Sequence, residues 1–208
     1  MSALFPRAAF DIVSIAASAG GVSALQRVFR ALPPDFPCAV AVVQHQPAHS
    51  PWTLADVLGF RSRLTVRFAR PGDRLRAGTI YVAAPDRHLR VTADRRFAYD
   101  DSERINYVRP AADPLFASAA AVFGSRTLAL VMTGMGRDGA AGTRRVRAAG
   151  GCVLAQDPIS AEAPFMPAAA IATASVNLTL PLEALAHALV SLVMVAGTSS
   201  LLGHRAAA

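Results

Sequence analysis

The chain has 208 residues, of which 53% are hydrophobic, 17% charged and 7% aromatic, enough for one globular core and too apolar for wholesale disorder. Its formal net charge is +7, and all 21 basic residues are arginine; the lack of lysine excludes a lysine nucleophile, a Schiff base and a P-loop lysine. The cationic surplus suits nucleic acid, an anionic membrane or an acidic protein partner without choosing among them. In chain order, Ile12 to Ala16 reads as a strand, followed by Gly20-Gly21 and a helical stretch through Val22, Leu25, Val28, Phe29 and Leu32 that Pro33, Pro34 and Pro37 stop. Cys38 to Val43 is a continuous apolar run, the mark of a strand buried on both faces. A loop with Pro47 and Pro51 leads to a short helix through Trp52, Leu54 and Leu58, then to strands at Leu64 to Phe68 and Thr79 to Ala83. Leu89 to Val91 and Arg96 to Tyr99 flank a turn at Ala93-Asp94, as in a hairpin. Asp113 to Phe123 predicts a helix with Asp113 as N-cap and Pro114 in first position. Thr127 to Met132 predicts a strand, and Asp138 to Ala149 a helix ending at Gly150-Gly151. Cys152 to Ala155, a segment from Pro167 to Thr173, a strand at Ser175 to Leu178 and a helix from Leu182 complete the series, with Gly197 to Ala208 as a loose tail.

This alternation predicts an α/β fold: a doubly wound, mostly parallel sheet with helices on both faces and a small β-hairpin. Cys38 and Cys152 lack the spacing of a disulfide framework or zinc site and read as buried thiols in a reducing compartment. The apolar run Ala184 to Ala196 is shorter than the roughly 20 residues a membrane span needs. Ala17-Ser18-Ala19 mimics a signal-peptide cleavage site after Arg7, but Pro6 and Asp11 interrupt the run that would lead to it.

Open α/β sheets bind ligands beyond the carboxyl ends of their strands. Three reactive residues fall there: Ser18 after Ile12–Ala17, His45 after Ala39–Gln44, and Asp138 after the run ending in Thr133-Gly134-Met135-Gly136-Arg137. Serine, histidine and carboxylate are the members of a nucleophile–base–orienter triad, which is defined by geometry and not by chain order. Imidazole suits the base because its ordinary pKa, about 6.5, lies near working pH. Gly20 and Gly21 let the chain turn tightly into a helix, bringing peptide N–H groups close to the serine. Each residue also has a structural reading: Ser18 and Asp138 as helix caps, His45 as a loop histidine. The segment lacks the spaced glycines of a dinucleotide fingerprint, and Gly134 to Thr143 lacks a P-loop ending. His49, His88, His187 and His204 make no metal spacing. Arg61, Arg63, Arg67, Arg70, Arg74 and Arg76 face a single acid, Asp73, in one stretch. It reads either as a solvated loop and edge strand or as a docking face for an acidic partner.

The runs Ile15-Ala16-Ala17-Ser18-Ala19-Gly20-Gly21, Val43-Gln44-His45, Pro85-Asp86-Arg87-His88 and Thr133-Gly134-Met135-Gly136-Arg137-Asp138-Gly139-Ala140-Ala141-Gly142 resemble, in order, the catalytic domain of CheB, the chemotaxis protein-glutamate methylesterase. The resemblance covers about residues 10 to 195. It implies a serine hydrolase that demethylates glutamyl methyl esters on the cytoplasmic helices of chemoreceptors and also deamidates glutamines. It places the nucleophile at Ser18, the base at His45, the aspartate at Asp138, and backbone oxyanion donors near Ala19 and Met135. No metal or cofactor is implied, nor nucleic acid or membrane insertion, and the location implied is the cytoplasm. Departures from the family's usual pattern are Ala16 for a glycine, Ala19 for a threonine, and Tyr107-Val108-Arg109-Pro110-Ala111 for an RHRPS-like stretch, so substrate contacts are expected to differ. Residues 1–208 read as one such domain. With the first strand starting near Met1, no receiver domain is expected ahead of it, so a response regulator acting in trans is one expected partner. The competing readings are a hydrolase of the same fold acting on another ester or amide, and a regulatory module with the fold but without turnover.

Overall fold

Four apolar runs form the centre of the sheet because they are buried on both faces: β1 (Ile12–Ala17), β2 (Ala39–Gln44), β7 (Thr127–Val131) and β8 (Cys152–Gln156). The computed structural model describes residues 4–5 and 8–194; the tail expected from Gly197 lies outside the described residues. Shorter strands β3 (Thr65–Phe68), β4 (Thr79–Val82) and β9 (Leu178–Leu180) complete a seven-stranded parallel sheet in the order β3-β4-β2-β1-β7-β8-β9. Strands β5 (His88–Val91) and β6 (Phe97–Asp100) pair antiparallel as the expected hairpin. Six α-helices are described: α1 (Gly21–Ala31), α2 (Leu54–Gly59), α3 (Ala112–Phe123), α4 (Ala140–Ala148), α5 (Phe165–Ile171) and α6 (Leu182–Met194). None is long and apolar enough to cross a membrane.

Alternation along the strands divides the core in two. Val13, Ile15 and Ala17 face Leu25 and Phe29 of α1 and Leu185 and Leu189 of α6. Ala16, Val43 and Val131 face Phe116 of α3, Val146 of α4 and Met166 of α5. Truncating a fully buried aromatic such as Phe116 to alanine costs about 3–5 kcal/mol. Both cysteines are buried and free, and burial pushes the Cys152 thiol up to about 12. The chain winds outward from β1 through β2 to β3, then returns to β7 on the other side of β1. The strand order therefore reverses between β1 and β7, and the crevice above their carboxyl ends is where such a sheet holds its ligand.

Three local expectations need correcting. Helix α3 begins at Ala112, with extended Ala111 at its cap. The Asp113 carboxylate is not that cap; it accepts the Gly142 N–H at 2.7 Å and an Asn106 amide at 3.1 Å. Helix α4 starts at Ala140, because Gly139 turns the chain in the left-handed region at φ 88°. The last strand starts at Leu178 and not Ser175, whose N–H closes a turn onto the Thr173 hydroxyl.

Candidate active site

Ser18 is the first residue beyond β1. Its N–H donates to Thr133 O at 2.9 Å, joining the loop after β1 to the loop after β7. Its own carbonyl accepts the Gly21 N–H (2.8 Å) and Gln44 Nε2 (2.9 Å). The turn between them needs two glycines for steric reasons. Gly20 sits at φ 72°, where a Cβ would also lie 2.7 Å from Glu162; a Cβ on Gly21 would lie 2.1 Å from Gln44 Oε1. Helix α1 follows directly, so its N-terminal end abuts Ser18.

His45 occupies the equivalent place on the neighbouring strand. The register pairs Ala17 with Gln44, and the His45 N–H donates to Ala17 O at 2.9 Å, so Ser18 and His45 leave the sheet side by side. Gln44 Nε2 reaches the carbonyls of both, at 2.9 and 3.0 Å, and clamps the two chain ends together.

Asp138 arrives from the loop between β7 and α4. Its Oδ2 lies 2.7 Å from His45 Nε2, with the two side chains only 9% (His45) and 2% (Asp138) exposed. The same oxygen accepts the Ala112 N–H at 2.6 Å, and Oδ1 accepts the Asp113 N–H at 3.2 Å. Asp138 therefore caps α3, a helix that precedes it in the chain, while holding His45. Its three partners fit an acceptor-only carboxylate, to which Nε2 of His45 donates; a neutral ring with that tautomer keeps its lone pair on Nδ1. Asp113 is half-buried behind this cluster; burial first, and then the nearby charge of Asp138, pushes its pKa up.

The structure thus brings His45 and Asp138 into contact and sets Ser18 beside His45. A hydrogen bond from the Ser18 hydroxyl to His45 is not formed; the bonds at Ser18 run through its backbone. Its side chain packs against Gly134, where a Cβ would lie 2.7 Å from Ser18 Cβ and 2.2 Å from Met166 Sδ. The N–H groups of Ala19 and Met135 donate to no acceptor among the described residues, and the Met135 side chain is exposed.

Sequence reasoning missed three supports. The Gln44 clamp lies next to His45, and its amide was the available signal. The Thr133 hydroxyl donates to Ala19 O (2.8 Å) and accepts the Ala163 N–H (2.9 Å), while its own N–H donates to Gln156 Oε1. Ala112 acts through its backbone alone and leaves no trace in the side-chain pattern. Of the other candidates, His88 stands outside the His45–Asp138 pair: buried, it accepts the Ala111 N–H at Nδ1 and faces Glu103 O with Nε2. Arg109 is engaged by Asp86 and by the carbonyls of Asp101 and Ser102. Arg67 is pinned to Asp73 at 2.6 Å and stacked over Tyr81, so the arginine-rich stretch is partly framework.

The structure is therefore a doubly wound α/β sheet with a His–Asp pair beside a serine at its topological switch. Residues 13–189 match the family described as CheB methylesterase, and the chain belongs to that family. It is 44% identical over 179 residues to "Protein-glutamate methylesterase/protein-glutamine glutaminase 2" of Anaeromyxobacter dehalogenans, covering 86% of this chain and 52% of that protein. It is 32% identical to a "Putative protein-glutamate methylesterase/protein-glutamine glutaminase" of Leptospira interrogans, over 88% of this chain and 95% of that protein. Apart from such a relative, the chain spans about half the length of the curated relatives it matches. The crystal structure of the Thermotoga maritima CheB methylesterase catalytic domain superposes with a TM-score of 0.85 at 36% identity, over 88% of this chain and 98% of that one.

Proposed function

We propose that this chain hydrolyses glutamyl methyl esters on the cytoplasmic helices of chemoreceptors and deamidates glutamines at the same site, working in the cytoplasm. The observation that carries the reading is the 2.7 Å contact between His45 Nε2 and Asp138, which leaves Nδ1 as a base on the strand next to Ser18. Ser18 Oγ attacks the ester carbonyl as Nδ1 takes its proton. Negative charge then develops on the carbonyl oxygen, and the open N–H groups of Ala19 and Met135, with the N-terminal end of α1, are the donors available to it. The imidazolium, stabilised by Asp138, returns its proton to the methoxide, so methanol leaves and a glutamyl-serine ester remains. Water, deprotonated by the same imidazole, frees the glutamate and restores Ser18. With a glutamine substrate, ammonia is the first leaving group.

The test is methanol release from a methylated chemoreceptor cytoplasmic fragment. The protein should turn it over, and Ser18→Ala should reduce turnover by several orders of magnitude. Equal release by Ser18→Ala would remove the serine from the mechanism. The wild-type protein's failure to release methanol, while hydrolysing a small activated ester, would favour a hydrolase with a different substrate.

A further inference from the structure

Helix α1 leads away from the catalytic loop and carries Ser23, Arg27 and Arg30 along its exposed side. The end of α2 lies alongside, tied to α1 by a 2.7 Å hydrogen bond from Gln26 Nε2 to Val57 O. Between them is a groove of about 200 Å³, lined by Ser23, Gln26, Arg27, Arg30, Phe60 and Arg61. A second hollow of about 310 Å³ shares Ser23 and Arg27 with it and extends to Gly20, Thr133 and Glu162, beside the serine turn. Adjoining at Ser23 and Arg27, the two make a trough along α1 that begins at Gly20. The helix advances about 15 Å between Gly20 and Arg30.

The trough is electrically polar. At its catalytic end Glu162 packs against Gly20. At its far end are three guanidinium groups, and only Arg27 has a carboxylate partner among the described residues, Glu183 at 2.8 Å. Arg30 and Arg61 have none. Arg61 is held in left-handed backbone, with its guanidinium 5.3 Å from the ring of Phe60, an aromatic side chain 66% exposed. Glu162 disfavours an acid beside Gly20, and the two unpaired guanidinium groups favour one beside Arg30 and Arg61. Arginine's planar fork suits carboxylates. On the methylesterase reading, each turnover also leaves a new carboxylate on the substrate.

We propose that this trough is a docking subsite for an acidic stretch of the protein substrate, whose glutamyl ester is held at Ser18 and whose carboxylates pair with Arg30, about 15 Å along α1 from Gly20, and with Arg61 across the groove from it. The position of the ester rests on the methylesterase reading; the acidic subsite does not.

The experiment uses the full chain carrying Ser18→Ala, titrated with a short fluorescein-labelled polyglutamate peptide and followed by anisotropy. The peptide should bind, more weakly as salt rises. Adding Arg30→Ala and Arg61→Ala should weaken binding about tenfold. Adding Arg63→Ala and Arg76→Ala, which removes equal charge from exposed arginines outside the trough, should leave affinity within about twofold. Equal loss in both pairs would reduce the effect to net charge and overturn the subsite, as would no loss in the first pair or no binding at all. A phosphoserine peptide of equal length that binds more tightly, and is lost with Arg30 and Arg61, would overturn the carboxylate assignment. In an otherwise wild-type chain, the Arg30/Arg61 pair should raise KM for a methylated receptor fragment and the Arg63/Arg76 pair should not. If that chain releases no methanol but the peptide results hold, the methylesterase reading fails and the acidic subsite stands.

Discussion

Substituting Asp138 by asparagine should damage activity and stability together. Oδ2 accepts from Ala112 N–H and His45 Nε2, and Oδ1 accepts from Asp113 N–H. An asparagine supplies one acceptor where the native carboxylate supplies two. If its oxygen faces Ala112 and His45, its NH2 meets the Asp113 N–H. If it is turned round, the NH2 meets the Ala112 N–H and forces His45 to carry its proton on Nδ1, the wrong tautomer for accepting a proton from Ser18. Hydrogen bonds to a charged group contribute about 1.5–3 kcal/mol each. The negative charge at the start of α3 contributes a further 0.3–1 kcal/mol or so. With at least one bond broken and the charge gone, the expected loss of stability is about 2–4 kcal/mol. For a chain of this size that lowers Tm by roughly 4–16 °C. Turnover should fall by about 10⁴, the typical cost of a wrong imidazole tautomer. His45→Ala is the matched control: it leaves the Asp138 bonds to α3 in place, so activity should collapse while Tm changes far less. Methanol release and thermal unfolding, measured on both variants, give the four numbers needed. An Asp138→Asn protein that melts with the parent would refute the α3 clamp, and one that turns over like the parent would refute the orienting role.

The sheet was legible because its central strands are buried on both faces, which leaves unbroken apolar runs such as Cys38 to Val43 in the sequence. The placement of two candidate site residues was legible for a related reason: a hydrophilic residue straight after such a run sits at a strand end, and Ser18 and His45 do. What could not be read was long-range. Asp138 precedes a helix, so local rules offer it as that helix's cap, yet left-handed Gly139 turns the chain and delivers the carboxylate to α3 instead. Asp113 was misread for the complementary reason: the capping position at α3 was already filled from another loop. The arginine-rich stretch looked like one surface because its charges are adjacent in sequence. Folding pins Arg67 to Asp73, and Arg61 joins Arg27 and Arg30, which lie more than thirty residues away.

Four further outcomes are expected. Gly134→Ala should leave the chain folded, because the flexible Met166 can yield, but the new Cβ crowds Ser18 Cβ and should cut kcat about 10²-fold; unchanged kcat would show that the serine has room to move. Neither Cys38 nor Cys152 should react with a disulfide reagent at mildly alkaline pH in the native protein, since burial pushes both thiols up, and both should react in denaturant; rapid native labelling of either would contradict its burial. Asp113 has a raised native pKa, so between the ordinary carboxylate value near 4 and that raised value the native state holds more protons than the unfolded chain, and stability falls as pH rises. Asp113→Asn should flatten the fall in Tm across this window, and an unchanged slope would place its origin elsewhere. The last outcome concerns His88, which acts at one remove. Its Nδ1 accepts the Ala111 N–H at 3.1 Å, and the next amide, Ala112, donates to Asp138, so the ring fixes the start of α3 against which the His45–Asp138 pair is set. His88→Phe keeps a ring but strands a buried N–H, costing about 1–3 kcal/mol, and the resulting shift at Asp138 should lower kcat about 10²-fold. His88→Asn can offer its Oδ1 where Nδ1 was and should recover most of that loss. Leu189→Ala, in α6 on the opposite face of the sheet, should cost at least as much stability with little change in kcat, separating positioning from general destabilisation. If His88→Phe lowers Tm but not kcat, or if His88→Asn rescues nothing, then His88 serves the fold alone and the line from Ala111 to His45 carries no catalytic weight.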